Sequence, residues 1–181
     1  LEAIQSCFTL PPLRYRLTPK AELDGYRRAE KLCNAAIKKH SQAPDLWRVR
    51  NRRIIALIGM WNLAREPKYL AQAVKEAKAM LATELPPGAD LVARFCLAKD
   101  ALWGEDAIPG VLLRDFIAAE GAGQAPAKAL AAAAVLAIEA NAEPLYQEYR
   151  KRLLSLSDED HPGQWPVLSL IRDRHHNHRM F

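Results

Sequence analysis

Proline- and glycine-containing turns divide this chain into short segments, and most of these segments repeat apolar residues every three or four positions. That spacing places apolar side chains along one face of an α-helix. The sequence shows no sustained two-residue alternation rich in β-branched residues, which is typical of strands. The pattern therefore predicts an all-α fold of about eight helices, near residues 18–41, 44–66, 68–84, 89–103, 107–120, 125–141, 143–156 and 163–174.

Several helix ends carry recognisable signals. Thr18 followed by Pro19 is typical of an N-cap with proline at the first helical position, and Glu22 places a negative charge in the first turn. Pro67 is expected to stop the second helix, because the residue before a proline is biased away from helical backbone angles. The run 86–88, Pro-Pro-Gly, is expected to end the third.

Two apolar stripes mark the candidate core. The second helix carries Trp47, Ile54, Ile58 and Trp61 at helical spacing. The segment 129–138 consists of small residues followed by larger aliphatic ones, which favours close packing of neighbouring helices. Both stripes are interrupted by charged residues well before the length that a membrane-spanning helix requires, so no membrane insertion is expected.

The helices also repeat as pairs. The residues around 29–46 recur around 73–91, and the turn Pro44–Trp47 has a counterpart at Pro162–Trp165. In each case an amphipathic helix leads through a proline-containing turn into a second helix. This is the helix–turn–helix unit of an α-solenoid.

The segments AEKLCNAAIKKHSQAPDLW and YLAQAVKEAKAMLATELPPGADL resemble the tetratricopeptide-like (TPR-like) superfamily, over about residues 20–170. The resemblance implies four antiparallel helical hairpins in a right-handed stack. The repeat spacing drifts from about 44 to below 40 residues instead of holding at about 34. Arg50 and Asn51 stand where the family signature has Leu-Gly, so the usual peptide-binding groove is not implied.

The segment PDLWRVRNRRIIALIGMW is similar to helical regions that precede a thioredoxin-like (redoxin) domain in some large bacterial proteins. The likeness implies a non-catalytic part of such a protein. The chain contains no C-x-x-C pair, so none of that family's catalytic residues is carried over.

The domain organisation predicted from these features has three parts. Residues 1–17, with a double proline and no helical period, are expected to form an extended N-terminal arm. Residues 18–174 form the helical repeat domain, and residues 175–181 a His-rich tail or a linker to a missing domain. The start on Leu1 and the abrupt end suggest a section of a longer protein.

Positive charge is concentrated near the start of the chain. The net charge is +5, yet residues 1–53 contain 12 Lys and Arg against five Asp and Glu. The densest group is Arg48, Arg50, Arg52 and Arg53 on the second helix. At helical spacing Arg48 and Arg52 share a face, and Arg50 and Arg53 form a second pair.

This arginine group has a structural and a functional interpretation. In the structural one the stems pack over Trp47 and the heads pair with carboxylates of adjacent helices, for instance Glu30, Glu76 or Asp100. In the functional one the group binds a protein, an acidic ligand or nucleic acid. Nucleic acid is disfavoured because no stacking aromatics are interleaved with the charges.

The residues that could carry chemistry are sparse. Cys7, Cys33 and Cys96 are far apart and odd in number, so neither a disulfide scaffold nor a zinc finger is indicated, and Cys33 and Cys96 are expected to be buried as small apolar residues. Two clusters at 158–161 and 173–178 combine carboxylates with histidine, but the first lacks an EF-hand pattern and the second is flanked by arginines. No metal site or cofactor is expected at either.

No nucleophile elbow, phosphate loop or metalloprotease motif occurs in the sequence, so an enzyme is not expected. The sequence favours a non-catalytic helical-repeat interaction or scaffold module of a larger protein, accessory to a thioredoxin-like domain if the second resemblance holds. Its partner would be another protein or a neighbouring domain of the same chain. The alternative is a helical domain whose basic face binds nucleic acid.

Overall fold

The computed structural model describes residues 18–103, 108–121 and 126–155, and these residues form seven α-helices and no strand. The all-α prediction and seven of the eight predicted helices are confirmed there. The eighth predicted helix, the N-terminal arm and the His-rich tail lie outside the described residues. The helices are α1 (Pro19–Lys39), α2 (Leu46–Ala64), α3 (Pro67–Leu81), α4 (Leu91–Leu102), α5 (Pro109–Gly121), α6 (Pro126–Glu139) and α7 (Glu143–Leu154).

The helix ends follow the local chemistry of the sequence. The Thr18 hydroxyl accepts a hydrogen bond from the Ala21 amide at 3.3 Å, which caps α1 as predicted. At the end of α2, Arg65 adopts the left-handed conformation (φ 55°) just before the proline that begins α3. Asn141 (φ 52°) occupies the same region between α6 and α7, where asparagine tolerates it better than most residues.

The described chain divides into two compact units. Unit 1 comprises the described residues up to Asp100 and unit 2 those from Ala101 onward. In unit 1, α2 packs against both α1 and α3; in unit 2, α6 packs against both α5 and α7. In each unit the most extensively packed helices are therefore neighbours in sequence.

The core of unit 1 is built mainly from large apolar side chains. The predicted stripe of α2 is confirmed for Ile54, Ile58 and Trp61, which are buried, while Trp47 is half-buried at its edge. The Asn51 side-chain amide donates to the Ala89 carbonyl at 2.9 Å and so ties α2 to the segment before α4. The buried apolar residues of this core are Ile54, Leu57, Ile58, Met60, Trp61, Tyr69, Leu70, Ala73, Ala77, Met80, Ala93 and Cys96.

A single glycine sets the closeness of α1 and α2. A Cβ atom placed on Gly59 would lie 2.5 Å from the ring of Tyr26 on α1. Carbon atoms pack at about 3.5–4.0 Å, so no larger residue fits there without movement of the ring. Gly59 therefore permits the Tyr26 ring to lie directly on the backbone of α2.

The core of unit 2 is built differently. The small-residue stripe of α6 is confirmed as core, and several of its alanines are completely buried. From α7, Tyr146 and Tyr149 are almost fully buried, and burial raises the pKa of each phenol. The buried apolar residues of this unit are Leu113, Phe116, Ala129, Leu130, Ala131, Ala133, Ala134, Leu136, Ala137, Tyr146, Tyr149 and Leu153.

Candidate functional site

The four arginines singled out in the sequence lie on the first half of α2 but in different environments. Arg48 is exposed, and its guanidinium carbon is 5.3 Å from the centre of the Trp47 ring, so its charged head, not its stem, lies near that ring. Arg50, Arg52 and Arg53 are half-buried. The group is therefore not a uniform solvent-facing surface.

Arg50 and Arg53 converge on one carboxylate of α3. Arg50 Nη1 donates to Glu76 Oε1 at 2.9 Å, and Arg53 Nη1 donates to Glu76 Oε2. Glu76 is 8% exposed, so its charge has little access to water and depends on these partners. Arg53 Nε also lies 3.6 Å from Glu30 Oε1 on α1. Glu30 and Glu76 are two of the three carboxylates predicted as partners, and the structure places both beside Arg53.

This cluster connects all three packed helices of unit 1. The arginines belong to α2, Glu76 to α3 and Glu30 to α1. Guanidinium groups present donors in a planar fork, and here two of them together engage both oxygens of one carboxylate. The arrangement neutralises two of the four arginines inside the protein and fixes how the helices meet.

A buried cation that sequence reasoning missed lies in the same unit. Lys99 on α4 is completely buried, and its Nζ atom is 4.8 Å from the centre of the Trp61 ring. An ammonium over an indole face is attracted by the ring electrons. The residues around Lys99 follow an ordinary amphipathic pattern, so no sequence signal set it apart from an exposed lysine.

Cys33 and Cys96 are both buried free thiols, as predicted. Burial raises the pKa of the Cys96 thiol to about 12, with the Asp100 carboxylate acting in the same direction and the Lys99 ammonium against it. The thiol is therefore protonated at neutral pH. A protonated, buried thiol is a poor nucleophile and a poor metal ligand.

Unit 2 exposes large apolar side chains. Ile108 is 64% exposed, Trp103 55% and Val111 44%. Ile108 immediately precedes α5 and Val111 lies in its first turn, where the Val111 amide donates to the Ile108 carbonyl at 3.0 Å. These three residues were not singled out in the sequence analysis.

Residues 18–103, 108–121 and 126–155 present neither a metal-ligand group nor a membrane-spanning helix. In these ranges no three His, Cys, Asp or Glu side chains are arranged to hold a metal ion. Likewise, no helix in the described part of the chain is long and apolar enough to cross a membrane. Both acidic and histidine clusters noted in the sequence, at 158–161 and 173–178, lie outside the described residues.

A scan against protein-family models finds none that matches this chain, and searches of curated proteins and of solved structures find no match either. The TPR-like and redoxin-associated resemblances therefore stay predictions. Function must be inferred from the physical chemistry of the described residues.

Proposed function

We propose that the chain is a non-catalytic helical-repeat module that binds a protein partner, or a neighbouring domain of a larger protein, and acts as a scaffold. The observation that carries the proposal is the exposure of Trp103, Ile108 and Val111 in unit 2. Apolar side chains of this size cost free energy in water, and aromatic residues are frequent anchors of protein interfaces. A partner with an apolar surface would bury them.

The pattern of helix packing supports a repeat architecture. α1, α2 and α3 pack in sequence order, and so do α5, α6 and α7. Within unit 1, α2 also reaches the second helix along, through Asn51 to Ala89 and through Trp61 to Lys99. Stacked helical hairpins make contacts of both kinds, between neighbours and between successive repeats. These contacts favour the TPR-like stack of hairpins as the finer description of the fold.

The state of the ionisable groups supports a non-catalytic role. Glu76 is held by two arginines, Lys99 lies on an indole face, and the Cys96 thiol is protonated at neutral pH. Catalytic acids, bases and nucleophiles instead require a pKa matched to their task and access to a substrate. The thioredoxin-like domain implied by the second resemblance would be a partner of the neighbouring-domain kind.

Site-specific photo-crosslinking in the full-length protein, in its own cells, tests the proposal. A benzophenone side chain at position 108 should give a discrete adduct, while the same group at Gln147, an exposed polar position of α7, should not. The adduct's protein is then purified and its binding measured by calorimetry. Val111→Asp should weaken that binding by about tenfold or more, because a charge replaces an anchor at the contact.

Gln147→Asp provides the matched control, since it adds the same charge at an exposed position of the same unit. It should leave the affinity within about twofold. Identical adducts from positions 108 and 147 would show that the exposed apolar residues are not the contact. Equal losses of affinity in the Val111 and Gln147 variants would show the same. Circular dichroism of each variant confirms that the helices are intact.

A further inference from the structure

The solvent-facing side of α1 is strongly basic, and the sequence analysis did not single it out. At about 100° per residue, six cations fall within a sector of about 120° around the helix axis. All six are exposed. This surface, the α1 basic face, consists of Lys20, Arg27, Arg28, Lys31, Lys38 and Lys39.

The α1 basic face keeps most of its charge available. Asp24 is the one carboxylate in the sector, and it pairs with Arg27 at 3.2 Å. Within the described part of the chain, the other five cations take part in no ion pair. The two remaining acids of α1, Glu22 and Glu30, lie on other sides of the helix, and Glu30 is directed toward Arg53.

The arginine group of α2 differs from the α1 basic face in how its charge is partnered. Arg50 and Arg53 share the carboxylate of Glu76, so their charge is used within the fold. On the α1 basic face, Arg27 also hydrogen-bonds to the side chain of Tyr69 on α3, but no buried carboxylate of the described residues pairs with these cations. Among the described residues up to 53, positive charge therefore reaches solvent mainly on α1.

We propose that the α1 basic face binds the phosphate backbone of duplex nucleic acid without reading the base sequence. From Lys20 to Lys39 the row extends about 28 Å at about 1.5 Å per residue, which approaches one turn of a duplex. Lysine is a common phosphate ligand that acts as a point charge. A row of such charges along a straight helix matches a polyanion with regularly spaced phosphates.

The side chains that lie between the cations favour duplex nucleic acid over other anionic partners. Within α1, which is described throughout, the sector holds only small or polar residues besides the cations: Ala21, Asp24 and Ala35. With no aromatic ring there, single-stranded bases have nothing to stack on. With no large apolar side chain there, and with lysine depleted in the cores of protein interfaces, a folded protein has no anchor.

An anionic membrane is the other polyanionic surface to consider. Helices that lie in a membrane interface insert their apolar side among the lipids. In α1 that side is occupied, because Ala29 and Cys33 are buried and Leu23 and Tyr26 pack against the core of unit 1. A membrane would therefore meet only the charges, without the apolar insertion that stabilises such binding.

Fluorescence anisotropy with a labelled random-sequence DNA duplex of about 20 base pairs tests the proposal across a salt series. The affinity of the full chain should fall by up to about a thousandfold between about 50 and 200 mM salt if all six cations contact phosphates. Lys31→Gln with Lys38→Gln should lower the affinity at least about tenfold and reduce the salt slope by about 1.8, or about 0.9 per lost contact. A second duplex of different sequence should bind equally well.

The matched control is Lys75→Gln with Lys78→Gln on α3, which removes the same charge from two exposed lysines of the same unit. It should leave the affinity within about twofold and the slope unchanged. Equal losses in both double variants would overturn the assignment to α1, since overall charge would then explain the binding. All four lysines are exposed, so circular dichroism should show both proteins folded.

Two further probes separate the partner classes. Vesicles containing about 30% phosphatidylserine and a poly-glutamate peptide are titrated under the same conditions, with the duplex as competitor. The proposal is supported if the duplex displaces the vesicles and the peptide from the protein and if both of these probes bind more weakly than the duplex. Absence of duplex binding at about 50 mM salt, or tighter binding of either other probe, overturns it. The Val111 variant of unit 2 leaves α1 unchanged, so this test and that of the protein-binding role fail independently.

Discussion

The two units of this protein present different surfaces over differently built cores. Unit 1 has a core of large aliphatic and aromatic side chains and a partly buried ion-pair cluster that links three helices, and the solvent side of its first helix is basic. Unit 2 packs tyrosines and leucines against an alanine-rich helix and leaves Trp103, Ile108 and Val111 exposed. Similar strings of short helices therefore present a basic surface in one part of the chain and large apolar side chains in another.

The largest effect should come from removing the charge at the centre of unit 1. Glu76→Ala leaves Arg50 and Arg53 without the carboxylate they share, and should lower the free energy of unfolding by about 2–3 kcal/mol. Urea denaturation measures the total loss in the free energy of unfolding. The rate of amide hydrogen exchange should rise first in α2 and α3. Asp24→Asn, which breaks the exposed pair with Arg27, should cost far less, because water and salt screen exposed charges. Equal costs for the two variants would mean that the partly buried cluster contributes no more to stability than an exposed ion pair.

The alanine-rich core of unit 2 should resist enlargement rather than truncation. Ala133 is completely buried on α6, which packs against both α5 and α7. Ala133→Leu should therefore destabilise the protein by about 2 kcal/mol through overpacking. Ala118→Leu, at an exposed position of α5, should change stability by less than about 0.5 kcal/mol. Thermal denaturation measures both, and tolerance of leucine at position 133 would contradict close helix packing in this unit.

Unit 1 also depends on a small residue where α1 and α2 meet. Gly59→Ala would force the ring of Tyr26 to move, and should cost about 1–2 kcal/mol even after the gain in helix propensity. Gly110→Ala in unit 2 is the natural control, because the nearest atoms lie 3.8 Å from its added Cβ. That variant should be neutral or more stable by up to about 1 kcal/mol. Chemical denaturation measures the stability change of each variant. The comparison shows whether the clash with Tyr26 at position 59 outweighs the gain in helix propensity from alanine.

The smallest effect at neutral pH should come from the buried phenol of Tyr149, whose hydroxyl has no hydrogen-bond partner among the described residues. Tyr149→Phe should be neutral or more stable by less than about 1 kcal/mol at pH 7. Burial raises the pKa of this phenol in the folded state. The unfolded phenol therefore ionises first, and stability is complete below about pH 10 and is lost as the pH rises further. The phenylalanine variant should lose less stability than the parent protein above pH 10.

The same alkaline titration compares the two units. In unit 1 the pKa of the Cys96 thiol is raised from 9.0 to about 12, so its contribution is present below about pH 9 and is lost between pH 9 and 12. Cys96→Ala should flatten the decline of stability in that range. If the decline has the same shape in both variants and the parent, neither group controls the alkaline unfolding of its unit.

The helices themselves could be predicted because their signals are local. Thr18 with Pro19, and the proline at position 67, act within one or two turns, and the structure places helix ends where they indicated. The pairing of Arg53 with Glu30 and Glu76 could be anticipated as well, since adjacent helices in a short-turn bundle offer opposite charges at matching heights.

Other features depend on three-dimensional packing that no local pattern encodes. The contact of Gly59 with Tyr26 requires two helices to be docked, and the burial of Lys99 on Trp61 depends on how α4 meets α2. The α1 basic face is an intermediate case. Its cations are scattered at intervals of one to seven residues, so a helical projection of residues 19–39 reveals them, whereas the dense arginine run of α2 draws attention in the linear sequence.

The carboxylate shared by Arg50 and Arg53 has a consequence for heat resistance. The penalty for removing charged groups from water decreases as temperature rises, whereas the stabilisation from apolar burial levels off. An internal ion cluster therefore becomes a larger share of what holds α1, α2 and α3 together as the protein is warmed. Near its melting temperature, unit 1 should rely on Glu76 more than on any single methyl group of its core.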